Sequence, residues 1–218
     1  DQYDVIFVRL SFNQPQAVDG IIAFGAFSKT EIDFLRTLTF SIVFVNSDQH
    51  NYEFDQVQVD FDRGLEDAVA YLLDQKRYTD IGYIGGIYNG ENGSIGTHRL
   101  AALKRILEQR LQYNPALFHI GEISRESGYH MAKNAIAKGA LAEAMLIGSD
   151  EVAEGALEAF RETGLRVPKD VAVIIYQDIQ TLESKWPTGT CLEMFPDYVW
   201  ETALELGRLL EEKGLAGE

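Results

Sequence analysis

Short runs of apolar, mostly β-branched residues alternate with longer amphipathic segments along most of this chain, which limits the folds open to it. The runs are apolar on both faces, as buried strands of a parallel sheet must be, because helices cover both sides of such a sheet. Eight runs predict strands, at residues 5–8, 20–24, 42–45, 56–59, 81–84, 117–120, 144–147 and 171–175. The run at 56–59 alternates in polarity and therefore predicts an edge or half-exposed strand.

Five amphipathic segments between these runs predict helices, which begin near residues 62, 96, 124, 150 and 196. Ser124 and Ser149 are residues of the kind that cap helix N-termini, and Gly164 suits the position just after a helix end. Strands that alternate with helices predict βαβ units. The expected fold class is therefore α/β with parallel sheets.

The balance of charge and the cysteine count exclude several functions. With 34 acidic and 19 basic residues the net charge is −15, so we expect this chain to grip neither nucleic acid nor an anionic membrane by itself. The single cysteine, Cys191, excludes an intramolecular disulfide and a cysteine-rich zinc site. No membrane span or signal peptide is visible, and the low cysteine usage is typical of a reducing compartment, so we expect a cytoplasmic protein. The four histidines lack metal-ligand spacing, and we expect neither a metal nor a cofactor.

Neutral polar residues stand at or just past the ends of three apolar strands, and they are candidates for a ligand site. In open α/β sheets the loops at the carboxyl ends of the strands line the ligand crevice. The three candidates are Asn46, Ser149 and Gln177.

Residues 89–94 predict a long polar loop, and Arg99 is the charged candidate because it lies just inside the helix that follows this loop. Its guanidinium is a planar set of donors suited to vicinal hydroxyls or to a carboxylate, although an arginine at such a place is more often an ordinary surface residue. Phe24 and Tyr88 are candidates for aromatic ligand surface, with a place in the core as the commoner role.

No combination of residues predicts catalysis. The glycine-rich segment 82–88 lacks the GxGxxG spacing of a dinucleotide site, and no nucleophile elbow or HExxH motif occurs. The pattern favours a site that binds a small molecule without transforming it.

One segment, GLRVPKDVAV at residues 164–173, closely resembles the G-x-x-V-P-x-D stretch of the LacI/GalR family of bacterial transcription regulators. Further similarities follow that family's order and spacing over nearly the whole chain, at residues 19–22, 57–61, 78–86, 98–103 and 148–156.

The resemblance implies a periplasmic-binding-protein-like fold of type I, with two Rossmann-like lobes and a ligand cleft between them. By the family's pattern, residues 1–60 and 195–218 form the N-terminal lobe and residues 61–194 the C-terminal lobe. Because the similarity starts at the family's second strand, we expect its first βα unit, its last strand and its helix-turn-helix domain to lie outside this sequence.

The resemblance also implies a function. A small effector, commonly a sugar or sugar derivative, would bind between the lobes of a homodimer and alter the affinity of the separate helix-turn-helix domain for operator DNA. Such regulation is a population shift between two states that bind the effector differently. We therefore expect a regulator, specifically a repressor of sugar utilisation, and not an enzyme.

The resemblance assigns roles residue by residue. Arg99 matches the family's effector-contacting arginine, and Ser149 stands where many members have asparagine. Asn46 stands where family members often have an aspartate or asparagine after the third strand of the first lobe. Gln177 takes the place of the first aspartate of the usual GFDD turn, and its amide can donate as well as accept. Ile123 occupies a position often held by an aromatic residue that stacks on the sugar, so that stacking face is missing here.

Two other interpretations of the function remain open. A solute-binding protein of a sugar import system would share the fold, and a signal peptide in the complete gene product would favour it over the regulator. An α/β enzyme acting on a nucleotide or a sugar phosphate is the third, and the sequence offers neither a phosphate loop nor a catalytic group for it.

Overall fold

A computed structural model of the protein describes residues 18–25, 27–45, 54–90, 93–176, 185, 189–192 and 196–212. The predicted strand at 5–8 lies outside these residues. The chain divides into two compact units, the first made of Asp1–Gln58 with Tyr198–Glu218 and the second of Val59–Asp197.

The first unit contains a parallel sheet whose described strands run in the order β1-β2-β3. Ala23, Ile32 and Phe44 pack on one face of it, and Val43, Val45 and Ala203 pack on the other. Its elements are β1 (Ile21–Phe24), α1 (Lys29–Leu38), β2 (Ile42–Val45), β3 (Asp55–Val57) and most of α6 (Pro196–Glu212).

Helix α1 is absent from the sequence-based prediction, although its start carries a local signal. The Ser28 hydroxyl accepts a bond from the main-chain N–H of Glu31 at 3.3 Å, and the Glu31 carboxylate accepts one from the Ser28 N–H at 2.7 Å. This reciprocal pair is a capping box, which satisfies two donors that a helix start otherwise leaves without partners. Ile32 and Leu35 then face the core of the first unit.

The second unit is built around a five-stranded parallel sheet in the order β10-β9-β8-β4-β7. A π-helical turn, Tyr71–Gln75, extends α2, and a 3-10 turn, Pro115–Leu117, precedes β7. The elements are α2 (Phe61–Ala70), β4 (Ile81–Gly86), β5 (Tyr88–Gly90), β6 (Gly93–Ile95), α3 (Thr97–Gln109), β7 (Phe118–Gly121), α4 (Arg125–Ala137), β8 (Ala144–Ile147), α5 (Asp150–Glu162), β9 (Ala172–Tyr176) and β10 (Thr190–Leu192).

Successive strand residues of this sheet supply two separate cores, one on each face. Leu146 and Ile174 pack against helices α2 and α3, whereas Met145, Ile147 and Ile175 pack against α4 and α5. The alternation is the period of two that a pleated strand imposes, and burial of both faces explains why these runs are apolar throughout.

The predicted α/β class with parallel sheets is confirmed, and two local expectations need correction. The segment 89–94 is not a simple polar loop, because β5 and β6 pair antiparallel within it, with Tyr88 opposite Ile95. Strand β10 was not predicted, since its three residues are too few to show a pattern, yet Leu192 pairs with Tyr176 of β9. Among the described residues, no helix is long and apolar enough to cross a membrane.

Candidate functional site

Four residues meet at the carboxyl edge of the second unit's sheet: Tyr83, Arg99, Gly148 and Tyr176. We call them the arginine cluster. The Arg99 Nη1 donates a hydrogen bond to the main-chain oxygen of Gly148, and its Cζ lies 3.8 Å from the centroid of the Tyr176 ring. The cluster joins residues that are far apart in sequence, because the ends of β4, β8 and β9 lie side by side.

The start of helix α3 brings Arg99 to this edge. Gly96, the N-cap, has a φ of +85°, and a Cβ there would overlap the main-chain oxygen of Gly86 at the end of β4. The helix therefore begins in direct contact with the strand end, which only a glycine permits. Leu103 and Leu107 anchor the helix in the core, so Arg99 in its first turn projects over the sheet edge.

The Tyr83 side chain, 2% exposed, reaches along β4 toward the same edge. A Cβ added to either Gly85 or Gly148 would overlap its hydroxyl group. Gly85 in β4 and Gly148 just after β8 thus leave the space that this phenol fills.

Both phenols of the cluster stay protonated over the physiological range. Burial raises the pKa of Tyr83, and the positive charge of Arg99 opposes that rise only in part. The pKa of Tyr176 is raised as well, again chiefly by burial and again with Arg99 acting in the opposite direction. Arg99 is therefore the charged member of a cluster whose other side chains are neutral.

A small pocket of about 10 Å³ adjoins the cluster, and Leu65, Ile174 and Leu192 are among its apolar walls. This space is about what one water molecule needs, so it is far too small for a sugar. A ligand of Arg99 would consequently lie outside this pocket, against the sheet edge.

Ser149 follows Gly148 directly and is the N-cap of α5, as predicted. Its Oγ accepts a bond from the Val152 N–H at 3.4 Å. A hydroxyl has one donor and two acceptor positions, so this cap leaves the donor available. The structure thus brings Ser149 next to the carbonyl that holds Arg99.

The other predicted site residues are distributed as follows. Ile123 is half-buried, and a Cβ on Gly86 would overlap its Cγ1, so it lies at the end of β4. Phe24, in the first unit, is 49% exposed at the end of β1 and stacks on Trp200, with ring centroids 5.5 Å apart. The backbone of Tyr88 belongs to β5.

Asn46, Gln177 and the side chain of Tyr88 lie outside the described residues. Their predicted roles stay predictions.

Sequence reasoning missed Tyr83 and Tyr176 as members of the site. Each belongs to an apolar strand and looks like an ordinary core residue. Two features of the sequence could have identified them as site residues. A glycine follows Tyr83 by two positions, and Tyr176 is the last apolar residue before Gln177. Among the described residues, no group of histidine, cysteine and acidic side chains could hold a metal ion.

Comparison with known proteins shows which family this chain resembles. The family model for the periplasmic binding protein-like domain matches residues 69–207. The HTH-type transcriptional regulator GalR of Lacticaseibacillus casei is 28% identical over 202 residues, which are 91% of this chain and 61% of that protein. The HTH-type transcriptional repressor MelR of Bacillus subtilis is 30% identical over 197 residues, 87% of this chain and 56% of that protein.

Solved structures agree on the fold. A LacI family transcriptional regulator from Lactobacillus casei with bound glucose superposes with a TM-score of 0.71 at 20% identity, covering 90% of this chain and 73% of the other. Its structure with bound sucrose gives the same TM-score at 22% identity, covering 90% and 72%.

The chain belongs to the periplasmic binding protein-like domain family, since the family model covers well over half of it. Its relatives within that class are LacI/GalR-type regulators, which confirms the resemblance seen in the sequence motifs. The chain spans 61% and 56% of the length of the two relatives described above. It corresponds to the periplasmic-binding-protein-like core of such proteins.

Proposed function

We propose that this chain is the effector-sensing core of a LacI/GalR-type transcriptional regulator and that its effector is a neutral sugar or sugar derivative. Arg99 anchors the ligand at the carboxyl edge of the second unit's sheet, and Ser149 adds a hydroxyl donor beside it. The observation that carries this proposal is the position of the Arg99 guanidinium. One of its N–H groups donates to the main-chain oxygen of Gly148, and a guanidinium has further N–H donors that can bind a ligand.

The relatives support a regulator over a solute-binding protein of an import system, because those that match most of this chain are named as transcriptional regulators or repressors. The net charge of −15 fits a core that leaves DNA contact to another part of the protein. We propose a repressor that acts in the cytoplasm as a homodimer, without catalytic activity.

The ligand class is supported by chemistry and by a similar protein. A single guanidinium among neutral phenols suits vicinal hydroxyls, which accept paired hydrogen bonds without bringing a charge of their own. The similar regulator from Lactobacillus casei has been solved with glucose and with sucrose. Asn46, Gln177, Phe24, Ile123 and Tyr88 remain proposed contacts of the same ligand.

The proposed lobes are 1–60 with 195–218 and 61–194. Regulation would follow from differential affinity: the effector stabilises the arrangement of the lobes that it binds better, and the associated change in the dimer alters operator affinity.

A thermal-shift screen tests the ligand. Neutral mono- and disaccharides, including glucose and sucrose, are compared with sugar phosphates on the wild type, on Arg99→Ala and on Arg161→Ala, whose arginine lies exposed at the end of α5. We expect a neutral sugar to raise the melting temperature of the wild type and of Arg161→Ala, and to have little effect on Arg99→Ala. Equal stabilisation of all three proteins would refute the anchor, and a response to sugar phosphates alone would refute the ligand class.

The regulatory role is tested on the complete gene product. Its binding to DNA from the promoter region of its own gene is measured with and without the stabilising sugar, and sedimentation velocity gives its oligomeric state. We expect a dimer whose DNA affinity changes with the sugar. A monomer without affinity for that DNA would favour the solute-binding alternative.

A further inference from the structure

We propose that Tyr176 positions Arg99: its buried ring fixes the plane of the guanidinium and thereby selects the ligand acceptors that the arginine can meet. The inference rests on the proposed role of Arg99 as the ligand anchor and adds a residue that shapes the specificity of that site.

Two contacts together determine the orientation of the guanidinium. The Arg99 Cζ lies over the face of the Tyr176 ring, 3.8 Å from its centroid, and this close approach limits the tilt that the guanidinium can adopt. The bond from Nη1 to the Gly148 oxygen sets the rotation within the guanidinium plane. When both the tilt and the rotation of the guanidinium are restricted, its remaining N–H donors point in fixed directions. A site with such fixed donors can discriminate between ligands that differ in one hydroxyl.

The Tyr176 ring is itself held in place by its surroundings. Tyr176 is 6% exposed, it pairs in the sheet with Leu192, and its ring meets that of Phe61 with centroids 5.7 Å apart. A close-packed side chain at a strand end holds one rotamer, so Arg99 must adapt to the ring.

The competing explanation is that Arg99 merely covers a core tyrosine. The two explanations differ in what a phenylalanine does at position 176. Phenylalanine keeps the aromatic face and therefore keeps the guanidinium in place, whereas leucine fills much of the volume without offering a π surface.

The first test needs no ligand. The rate at which phenylglyoxal modifies Arg99 is measured by peptide mass mapping in the wild type, Tyr176→Phe, Tyr176→Leu and Ile175→Val, a control on the opposite face of β9. Exposed Arg161 in each protein is the internal reference. We expect Tyr176→Leu alone to raise the rate at Arg99 relative to Arg161.

An unchanged ratio in Tyr176→Leu would overturn the proposal, as would an equal rise in Tyr176→Phe. If the leucine variant does not fold, proton NMR of the wild type and Tyr176→Phe decides. An aromatic face over the guanidinium shifts the Arg99 δ-methylene protons upfield in both proteins, with their signals identified by loss in Arg99→Lys. Random-coil positions in the wild type would overturn the proposal.

The second test separates this inference from the proposed function. With a sugar that stabilises the wild type, affinity is measured in a double-mutant cycle of Tyr176→Leu and Arg99→Met, with the sugar concentration raised until the weak residual binding of the Arg99→Met variants can be measured. We expect Tyr176→Leu to weaken binding about tenfold when Arg99 is present and to have no effect when it is absent. Equal effects in both backgrounds would overturn the positioning role while the sugar-binding function stood. If no sugar binds but Tyr176→Leu frees Arg99, the positioning role stands and the proposed ligand fails.

Discussion

The hydroxyl group of Tyr83 occupies the space that a Cβ on Gly148 would need. The two residues belong to neighbouring parts of the sheet edge, one inside β4 and the other just after β8. Tyr83, 65 positions earlier in the chain, therefore leaves no room for a side chain at position 148. The main-chain oxygen of Gly148 is also the acceptor of the hydrogen bond from Arg99.

Gly148→Ala should lower the free energy of unfolding by about 1–3 kcal/mol, because the new methyl group would force the buried phenol to move. Tyr83→Phe should restore most of that loss in the double variant. Without the hydroxyl, the nearest ring atom is Cζ at 3.2 Å, a contact that small shifts can relieve. Urea unfolding of the two single variants and the double variant measures the coupling.

Gly85→Ala is the matched control for this cycle. Its Cβ would meet the ring itself, including Cε1 at 2.5 Å, so removal of the hydroxyl from Tyr83 should not rescue it. Equal rescue at positions 85 and 148 would show that the hydroxyl is not what fills the gap.

Helices α4 and α5 touch through their backbones at Gly128 and Gly155. A Cβ on Gly155 would lie 2.6 Å from the Tyr129 nitrogen, and one on Gly128 would lie 2.9 Å from the Val152 Cα. Backbone atoms cannot yield as a flexible side chain can, so Gly155→Ala should cost at least about 2–3 kcal/mol in stability. Thermal and urea unfolding give the value.

Gly207→Ala on α6 is the control, since no described atom lies within 4 Å of its Cβ position. There the substitution should stabilise the protein by up to about 1 kcal/mol through helix propensity. A stabilising effect of alanine at position 155 would contradict the close contact of α4 and α5.

Helices α3, α4 and α5 end with the same hydrogen-bond pattern, but α3 has a leucine where the other two have glycine. Leu111 has a φ of +56° and is 93% exposed, and the following residue donates back to the Leu107 oxygen at 2.8 Å. This Schellman arrangement places a β-carbon in the left-handed region, which costs about 1–2 kcal/mol. Leu111→Gly should therefore raise the urea midpoint.

Gly139, the equivalent residue after α4, has a φ of +62° and no described atom within 4 Å of its Cβ position. Gly139→Ala should lower stability by about 1 kcal/mol through backbone strain alone. If both substitutions moved stability in the same direction, the left-handed geometry would not be the cause.

The turn that carries the V-P-x-D motif should make stability depend on pH. Asp170 accepts bonds from the Arg166 Nε at 2.6 Å, Nη2 at 2.8 Å and main-chain N–H at 2.8 Å. These bonds lower the pKa of Asp170 to about 2, compared with about 4 in an unfolded chain. A depressed carboxyl pKa stabilises the folded state above pH ~4, and that contribution is lost as the pH falls toward 2.

The urea midpoint of the wild type should exceed that of Asp170→Asn at neutral pH, and the gap should narrow between pH ~4 and ~2. Lys185→Gln, which affects an ion pair with Glu154 elsewhere, serves as the control for general acid effects. A gap that stays constant down to pH 3 would contradict the role of the ionised carboxylate.

The repeating pattern of the sequence allowed the main elements to be predicted. Runs such as 144–147 are buried on both faces, and their short length between longer amphipathic segments predicts strands and not helices. Arg99 and Ser149 could be assigned to the sheet edge because a parallel sheet brings the ends of its strands together. Capping residues fixed the helix starts, as Ser124 and Ser149 illustrate.

The remainder depended on contacts that a pattern does not contain. The partners of Arg99 come from segments far along the chain, and nothing local to Tyr176 distinguishes a ring under a guanidinium from one in the core. Helix α1 was missed because only two of its ten residues, Ile32 and Leu35, are buried, even though Ser28 and Glu31 form a capping box. Strand β10 is defined only by its pairing with β9.

Ala203 of α6 packs on Val43 and Val45 of β2, so one face of the first unit's sheet is completed by a helix that follows the entire second unit in the chain. The order of synthesis therefore differs from the order in which cores can close. The second unit is continuous in sequence and can fold as soon as it leaves the ribosome. The strands of the first unit emerge earlier, yet the burial of this face must wait until α6 has been synthesised.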